Sequence, residues 1–341
     1  MRGWFRTGDS QVPRVLVTGG AGYVGHKLVP TLLEHGYDVV VYDTFWFGDR
    51  LPADARLTRV RADIRNPDQI ADAARGADMA INLACISNDT SFALDEKLST
   101  SINLQAFEPM VRACERAGIK RFINASTSSV YGVSDAPEVF EDHPKVPLTY
   151  YNRYKWECEQ ILAKLDPEFE WVTIRPATVC GYSPRCRLDL SVNILTNHAV
   201  SNGTITVFGG AQKRPNLHIG DMVDAYLMLL TVDGGKIDRQ TYNCGFQNLS
   251  ILEIATMVKR TVEQVFPEKA PIDIAVTESD DKRSYHINSD KIRNELGFAP
   301  RRTIEDAVRD LCQAFRQNLL PNSLIDDNYF NVRTLKAIAV S

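Results

Sequence analysis

The sequence predicts an α/β fold built on a doubly wound parallel sheet with a smaller C-terminal α/β lobe, and three observations carry that prediction. The first is TGGAGYVG, Thr18 to Gly25, set between the apolar run Val15 to Val17 and HKLVPTLLEHG, where Leu28, Leu32 and Leu33 recur at helical spacing. The second is DVVVYD, a strand ending in Asp43, eighteen residues after Gly25. The third is the continued alternation of short apolar strands with helical patterns through residue 165, the signature of a parallel sheet with helices on its faces. Strand, glycine turn and helix in this order make the first half Rossmann-like.

Each glycine of the turn has a task. Gly19 permits the tight bend, Gly22 lets a phosphate approach the backbone, and Gly25 lets the helix lie close on the strand. Tyr23 and Val24 complete the turn, whose free N–H groups and helix N-terminus favour a pyrophosphate. The Asp43 carboxylate would accept hydrogen bonds from both adenosine-ribose hydroxyls and repel a 2′-phosphate, so the expected cofactor is NAD rather than NADP.

Composition narrows the class. A chain of 341 residues, 44% hydrophobic and 24% charged, has enough apolar material for a large globular core. The net charge of −4 without a dense basic block gives no reason to expect nucleic acid or an anionic membrane as partner. No run approaches a membrane span, and residues 1–12 lack the apolar core of a signal peptide and read as a loose leader. Seven cysteines without a C-x-x-C pair suit reduced, buried thiols in a cytoplasmic protein. Cys85 reads as a small apolar residue, and His198, His218 and His286 are scattered, so no metal site is expected.

Along the chain, the aromatics Phe45, Trp46 and Phe47 sit in a turn-rich loop, where packing on the core and flanking the adenosine both stay open. LTRVRADI is a third strand that would bring Asp63 to the adenine amino group and Ile64 to the ring. The fourth strand ends at Leu83 and Ala84, small enough for the chain to pass beneath a dinucleotide. The helix SINLQAFEPMVRACERAG follows, with Asn103 in its first turn as a cap or a support for the site. KRFINAS is the fifth strand and releases into TSSVYG; YYNRYKWECEQILAKL is then a strong helix.

In that helix Tyr151 and Lys155 stand four apart, on one face and one turn from each other. Tyr150 and Tyr154 have no lysine at that offset, so only one Tyr-x-x-x-Lys pair exists. A tyrosine of ordinary pKa, about 10, is a poor base at neutral pH and needs positive charge beside it to ionise. Lys155 and an oxidised nicotinamide both supply such charge, and a hydroxyl from TSS would hold a substrate alcohol while Tyr151 removes its proton.

On these residues the chain resembles the extended short-chain dehydrogenase/reductases of the NAD-dependent nucleotide-sugar epimerase/dehydratase family, over residues 13 to 318. TGGAGYVG, Asp43, ADI, NLA, STSSVYG, YNRYK with Glu159, RPATVCGYSP, RPNLHIGD and ELGFAP carry the resemblance. It implies that Thr127 bonds the oxidised sugar oxygen, that Tyr151 is the general base and that Lys155 orients the nicotinamide ribose. It further implies substrate contacts for Asn193 at the nucleotide diphosphate, Phe208 at the base, and Arg214 and Arg283 at the diphosphate, while core packing for Phe208 and a surface ion pair for Arg283 stay open. By the same resemblance residues 13–180 form the NAD-binding domain with the Tyr/Lys helix. Residues 181–320 form mainly the nucleotide-sugar lobe, part of 205–250 returning to the sheet, and 1–12 and 321–341 are tails. A homodimer through the helices beginning near Ser101 and Asn152 is also implied.

Departures from the family pattern sharpen the reaction. Where dehydratases carry an Asp-Glu pair after the Thr, and decarboxylases a Glu, this chain has Ser128 and Ser129, which cannot readily replace a carboxylate. A 4-epimerase acting on a nucleoside-diphosphate sugar, UDP-linked, is the leading expectation; a C4 dehydrogenase or ketoreductase, or a dehydratase of the same family, comes second. A dinucleotide sensor without turnover fits poorly with the intact Thr127, Tyr151 and Lys155. Thr178 and Cys180 stand where sugar epimerases often have Asn and Tyr, which leaves the sugar open. Arg185, Arg187 and Asp189 fall near the expected sugar site, either to read a carboxylate or other substituent or to pair with each other.

Overall fold

The computed structural model describes residues 12–134, 136–278 and 286–340. Its strands are β1 (Arg14–Thr18), β2 (Asp38–Asp43), β3 (Leu57–Arg61), β4 (Met79–Asn82), β5 (Arg121–Ala125), β6 (Glu170–Pro176), β7 (Thr178–Cys180), β8 (Thr204–Phe208), β9 (Lys213–His218), β10 (Gln240–Cys244), β11 (Gln247–Ser250) and β12 (Asp273–Thr277). Seven of them form one sheet in the order β10-β6-β5-β4-β1-β2-β3, every pairing parallel. The apolar strands VLV and VVVY are buried because helices cover both faces, as parallel sheets require.

One face packs on the helices Gly25–Glu34 and Ile219–Thr231, through Leu28, Leu32, Tyr226 and Leu229. The other packs on Pro67–Ala74, Phe107–Arg116 and Tyr150–Leu165, through Ile70, Met110, Val111 and Leu162. A third apolar cluster joins the helices Ser191–Asn202, Ile251–Val265 and Ile304–Arg316 to β8, building a lobe beside the sheet. β12 pairs parallel with β8, and β9 lies between β11 and β7.

Chain order reverses between β1 and its neighbours β2 and β4, and such a switch point opens a crevice at the strands' C-terminal ends. Two local features depart from the sequence reading. The helix expected from Ser101 opens as a π-helical turn, Ser101–Gln105, before the α-helix Phe107–Arg116. The stretch from residue 321, expected as a tail, is folded: Tyr329 is buried beside Leu188 and Leu311, and Asn331–Val340 is a helix.

Candidate active site

At the switch point lies an open cavity lined by the glycine turn, the ends of β2 to β4 and the Tyr/Lys helix. All twelve residues assigned to the cofactor from sequence line it: Gly19, Gly22, Tyr23, Val24, Gly25, Asp43, Asp63, Ile64, Leu83, Ala84, Tyr151 and Lys155. Gly19 takes φ +72° and donates its N–H to Tyr42; a Cβ there would stand 2.6 Å from the Ala84 nitrogen, so β1 and β4 meet too closely for a side chain. A Cβ on Gly25 would stand 2.2 Å from the Gly20 carbonyl oxygen, which keeps helix and turn in contact. Gly19, Ala21 and Gly22 spend their N–H groups on Tyr42, Asp43 and the Gly19 carbonyl, while the helix that begins at Gly25 starts in the cavity wall, where its N-terminus favours a diphosphate.

Asp43 lies at the end of β2, where the sequence reading expects the adenosine ribose. Its carboxylate accepts the N–H of Ala21 (2.9 Å) and of Phe45 (2.7 Å). Burial pushes its pKa up, against the pull of those N–H groups and of Arg185. Each oxygen keeps a second lone pair, so ribose hydroxyls can still be received. Asp63 lines the cavity, but its carboxylate is taken bidentately by Arg65 (2.9 and 2.6 Å), whose hydrogen bonds hold its pKa down. Trp46 and Phe47 line the cavity, while Phe45 turns into the core.

The end of β5 is braced from below. Thr127 accepts the Ser129 N–H (3.2 Å), capping the 3₁₀ turn Ser128–Tyr131, and remains half-buried. Ser128 is buried. Thr149 caps the helix Tyr150–Leu165, on which Tyr151, Lys155 and Glu159 follow at four-residue steps. Lys155 donates to the Ala125 carbonyl at the end of β5 (2.7 Å), fixing the helix to the strand that leads into Thr127. Glu159, two turns from Tyr151, accepts from Ser126 and takes Arg175 bidentately (3.0 and 2.6 Å). Asn103 clamps the Ile86 N–H and carbonyl (2.8 and 2.9 Å), holding the chain that leaves β4.

The residues assigned to the substrate are more scattered. Arg187 lines the cavity. Asn193 does not: fully buried, it accepts the Gly181 N–H (2.9 Å) and donates to the Arg187 carbonyl (2.8 Å), so its amide is spent on holding the 181–187 turn. Thr178 is half-buried in β7, beside β9, which carries Arg214. Phe208 is 61% exposed at the end of β8, so core packing does not account for it. Arg283 lies outside the described residues. The cavity also contains Arg185, Asn331 and Leu335. Ser87 and Asn331 gave no signal in the sequence; the surplus of two arginines over one carboxylate in RCRLD was the available clue. Among the described residues no group of His, Cys, Asp or Glu is placed to hold a metal ion, and no helix is long and apolar enough to cross a membrane. All seven cysteines are free thiols.

Comparison with known proteins matches this arrangement. The chain is 28% identical to a UDP-glucose 4-epimerase of Azospirillum brasilense over 323 residues, 87% of this chain and 90% of that protein. Among solved structures, the UDP-glucuronic acid 4-epimerase of Bacillus cereus in complex with UDP-glucuronic acid and NAD superposes with a TM-score of 0.77 at 25% identity, covering 89% of this chain and 99% of that one. MoeE5 in complex with UDP-glucose and NAD does so with a TM-score of 0.77 at 25% identity, covering 90% and 99%. Residues 15–245, from the first strand of the glycine turn past the Tyr/Lys helix, match the NAD dependent epimerase/dehydratase family; the chain belongs to that family and is an NAD-dependent enzyme.

Proposed function

We propose that the enzyme is a nucleoside-diphosphate-sugar 4-epimerase, with UDP-sugars favoured, acting through a 4-keto intermediate. The observation that carries this reading is the end of β5, where Thr127 is followed by two serines, one of them buried, rather than by the carboxylates an elimination needs. NAD⁺, when bound, would supply the hydride chemistry: it would take hydride from C4 of the sugar, and the NADH so formed would return it to the opposite face of the 4-keto sugar. Tyr151 takes the proton of the C4 hydroxyl and later returns it. Thr127 donates a hydrogen bond to the same oxygen. Lys155, anchored on Ala125, keeps a cation one helical turn from Tyr151 and so favours the phenolate form that accepts this proton. The 4-epimerases among the relatives support the reading.

The test is NMR of products from UDP-glucose, UDP-galactose and UDP-glucuronic acid with the purified enzyme. A C4 epimer without net NADH is expected; stoichiometric NADH with a keto product would replace the epimerase by a dehydrogenase. Tyr151→Phe should lower turnover about 10²- to 10⁴-fold, which a dinucleotide sensor would not register. We also propose a homodimer through the helices Phe107–Arg116 and Tyr150–Leu165. Light scattering should give twice the mass of one chain.

A further inference from the structure

The chain from Gly181 to Asp189 is stitched to the glycine turn. Tyr23 donates its hydroxyl to the Gly181 carbonyl (2.6 Å), and Ser183 donates to the Tyr23 carbonyl (2.8 Å). This sets Arg185 and Arg187 beside the turn, both lining the cavity. Arg187 is paired: Asp189 receives it bidentately (2.9 and 3.1 Å), and its remaining nitrogen donates to the Ser87 hydroxyl (3.0 Å). Arg185 is 2% exposed and has no carboxylate bonded to it among the described residues. Its Nε is buried without a hydrogen-bond partner, its guanidinium carbon lies 4.0 Å from the centre of the Phe47 ring, and one nitrogen donates to the side-chain amide oxygen of Asn331 (2.5 Å).

Asn331, the first residue of the last helix, ties these pieces together. Besides receiving Arg185, its amide donates to Ser87 (2.9 Å) and its backbone N–H to Asp189 (3.1 Å). The two guanidinium groups have one bonded carboxylate, Asp189, and Asp43 acts on Arg185 only through space, so Arg185 carries a buried charge without a bonded counter-charge, which folded proteins retain where an anion completes the site. The anion chemistry suited to paired arginines beside a helix N-terminus is a diphosphate.

We propose that the C-terminal segment is a cofactor latch: Asn331 fixes Arg185 directly, and Arg187 through Ser87 and Asp189, so that both arginines grip the dinucleotide's diphosphate together with the glycine turn. Two sources of diphosphate exist, the dinucleotide and the nucleotide sugar. The surroundings of Arg185 favour the first: its ring partner follows Asp43 by four residues, and it acts electrostatically on Asp43 and on His26 of the glycine-turn helix. Asn331 is a positioning residue here, acting through the two arginines.

Calorimetry on the full chain, freed of nucleotide, tests the latch with NAD, ADP-ribose, adenosine and UDP. Asn331→Ala should weaken NAD and ADP-ribose about tenfold, and Arg185→Met up to about 100-fold, since hydrogen bonds to charged groups carry that much. Adenosine, which has no phosphate, should change less than twofold in both. Should Asn331→Ala fail to fold, Ser87→Ala loosens the same latch from its other side and should lower ADP-ribose affinity alone. Equal losses for adenosine and ADP-ribose would reduce the segment to a pocket wall and overturn the proposal. So would an unchanged ADP-ribose affinity, or a loss confined to UDP, which would give the arginines to the substrate.

Discussion

Two arginines, ten residues apart, are buried to the same degree and are treated in opposite ways by the fold. Arg175 is 3% exposed and meets Glu159 in a bidentate pair, Tyr131 at 2.7 Å and the Glu141 carbonyl at 3.0 Å. Arg185 is 2% exposed and meets one amide oxygen and an aromatic ring. Burial pulls the pKa of Arg175 down, but the hydrogen bonds and charge of Glu159 outweigh it and the net direction is up. Burial, aided by the like charge of Arg187, carries Arg185 down to about 9 despite Asp189. The difference teaches where to look for ligand: a buried charge neutralised by its own chain holds the fold together, and one left unneutralised waits for something the chain does not contain.

The largest expected effect lies on the neutralised side. Glu159→Gln strands Arg175, and the loss in unfolding free energy should be about 3 to 5 kcal/mol, the cost of leaving one member of a buried pair without its partner. Urea unfolding of the ligand-free protein measures it. Because Glu159 also receives Ser126, the residue before Thr127, turnover should fall with stability. Arg185→Met should invert the pattern. Without ligand its midpoint should equal or exceed that of the wild type, since an uncompensated charge leaves the interior. With saturating NAD, a hundredfold loss of affinity removes about 2.7 kcal/mol of ligand-linked stability. A ligand-free Arg185→Met protein as damaged as Glu159→Gln would break the comparison.

The same contrast marks how far the sequence could be read. The cavity-lining residues expected from sequence, from Gly19 to Lys155, lie on strand ends and one helix turn, where local pattern fixes position: glycines where backbones touch, an acid at the end of β2, a four-residue step on a helix. Those constraints are short-range and leave a visible spacing. The latch has no such spacing. Ser87 and Asn331 lie 244 residues apart and meet only after the lobe has packed, and neither residue type is unusual in a loop or at a helix start. Asn193 shows the opposite failure: its place in the motif was visible, but the buried partners that absorb its amide belong to tertiary structure. The π turn at Asn103 left no local mark either: Ser101–Gln105 contains no glycine or proline, and Asn103 clamps Ile86 across seventeen residues of sequence.

The smallest effect isolates the one carboxylate inside the latch. Burial raises the pKa of Asp189, but the charge and hydrogen bonds of Arg187, with the Asn331 N–H, more than offset it, and the net direction is down. A carboxyl whose folded pKa lies below its unfolded value, about 3.9, leaves the unfolded chain with more bound protons between the two values, so stability rises with pH there. The contribution is complete above the unfolded value and disappears as pH falls through the folded one. Asp189→Asn removes this titration and leaves the others in place, among them Asp43, which burial shifts upward and which moves stability in the other sense. The difference between wild type and variant therefore reports Asp189 alone. Urea midpoints at pH 7, 5, 4 and 3 should show the wild type ahead at neutral pH and the gap closing below about pH 4. A gap that stays constant to pH 3 would mean that Asp189 is not held by Arg187 in solution, and the arginine pair would then carry two unneutralised charges instead of one.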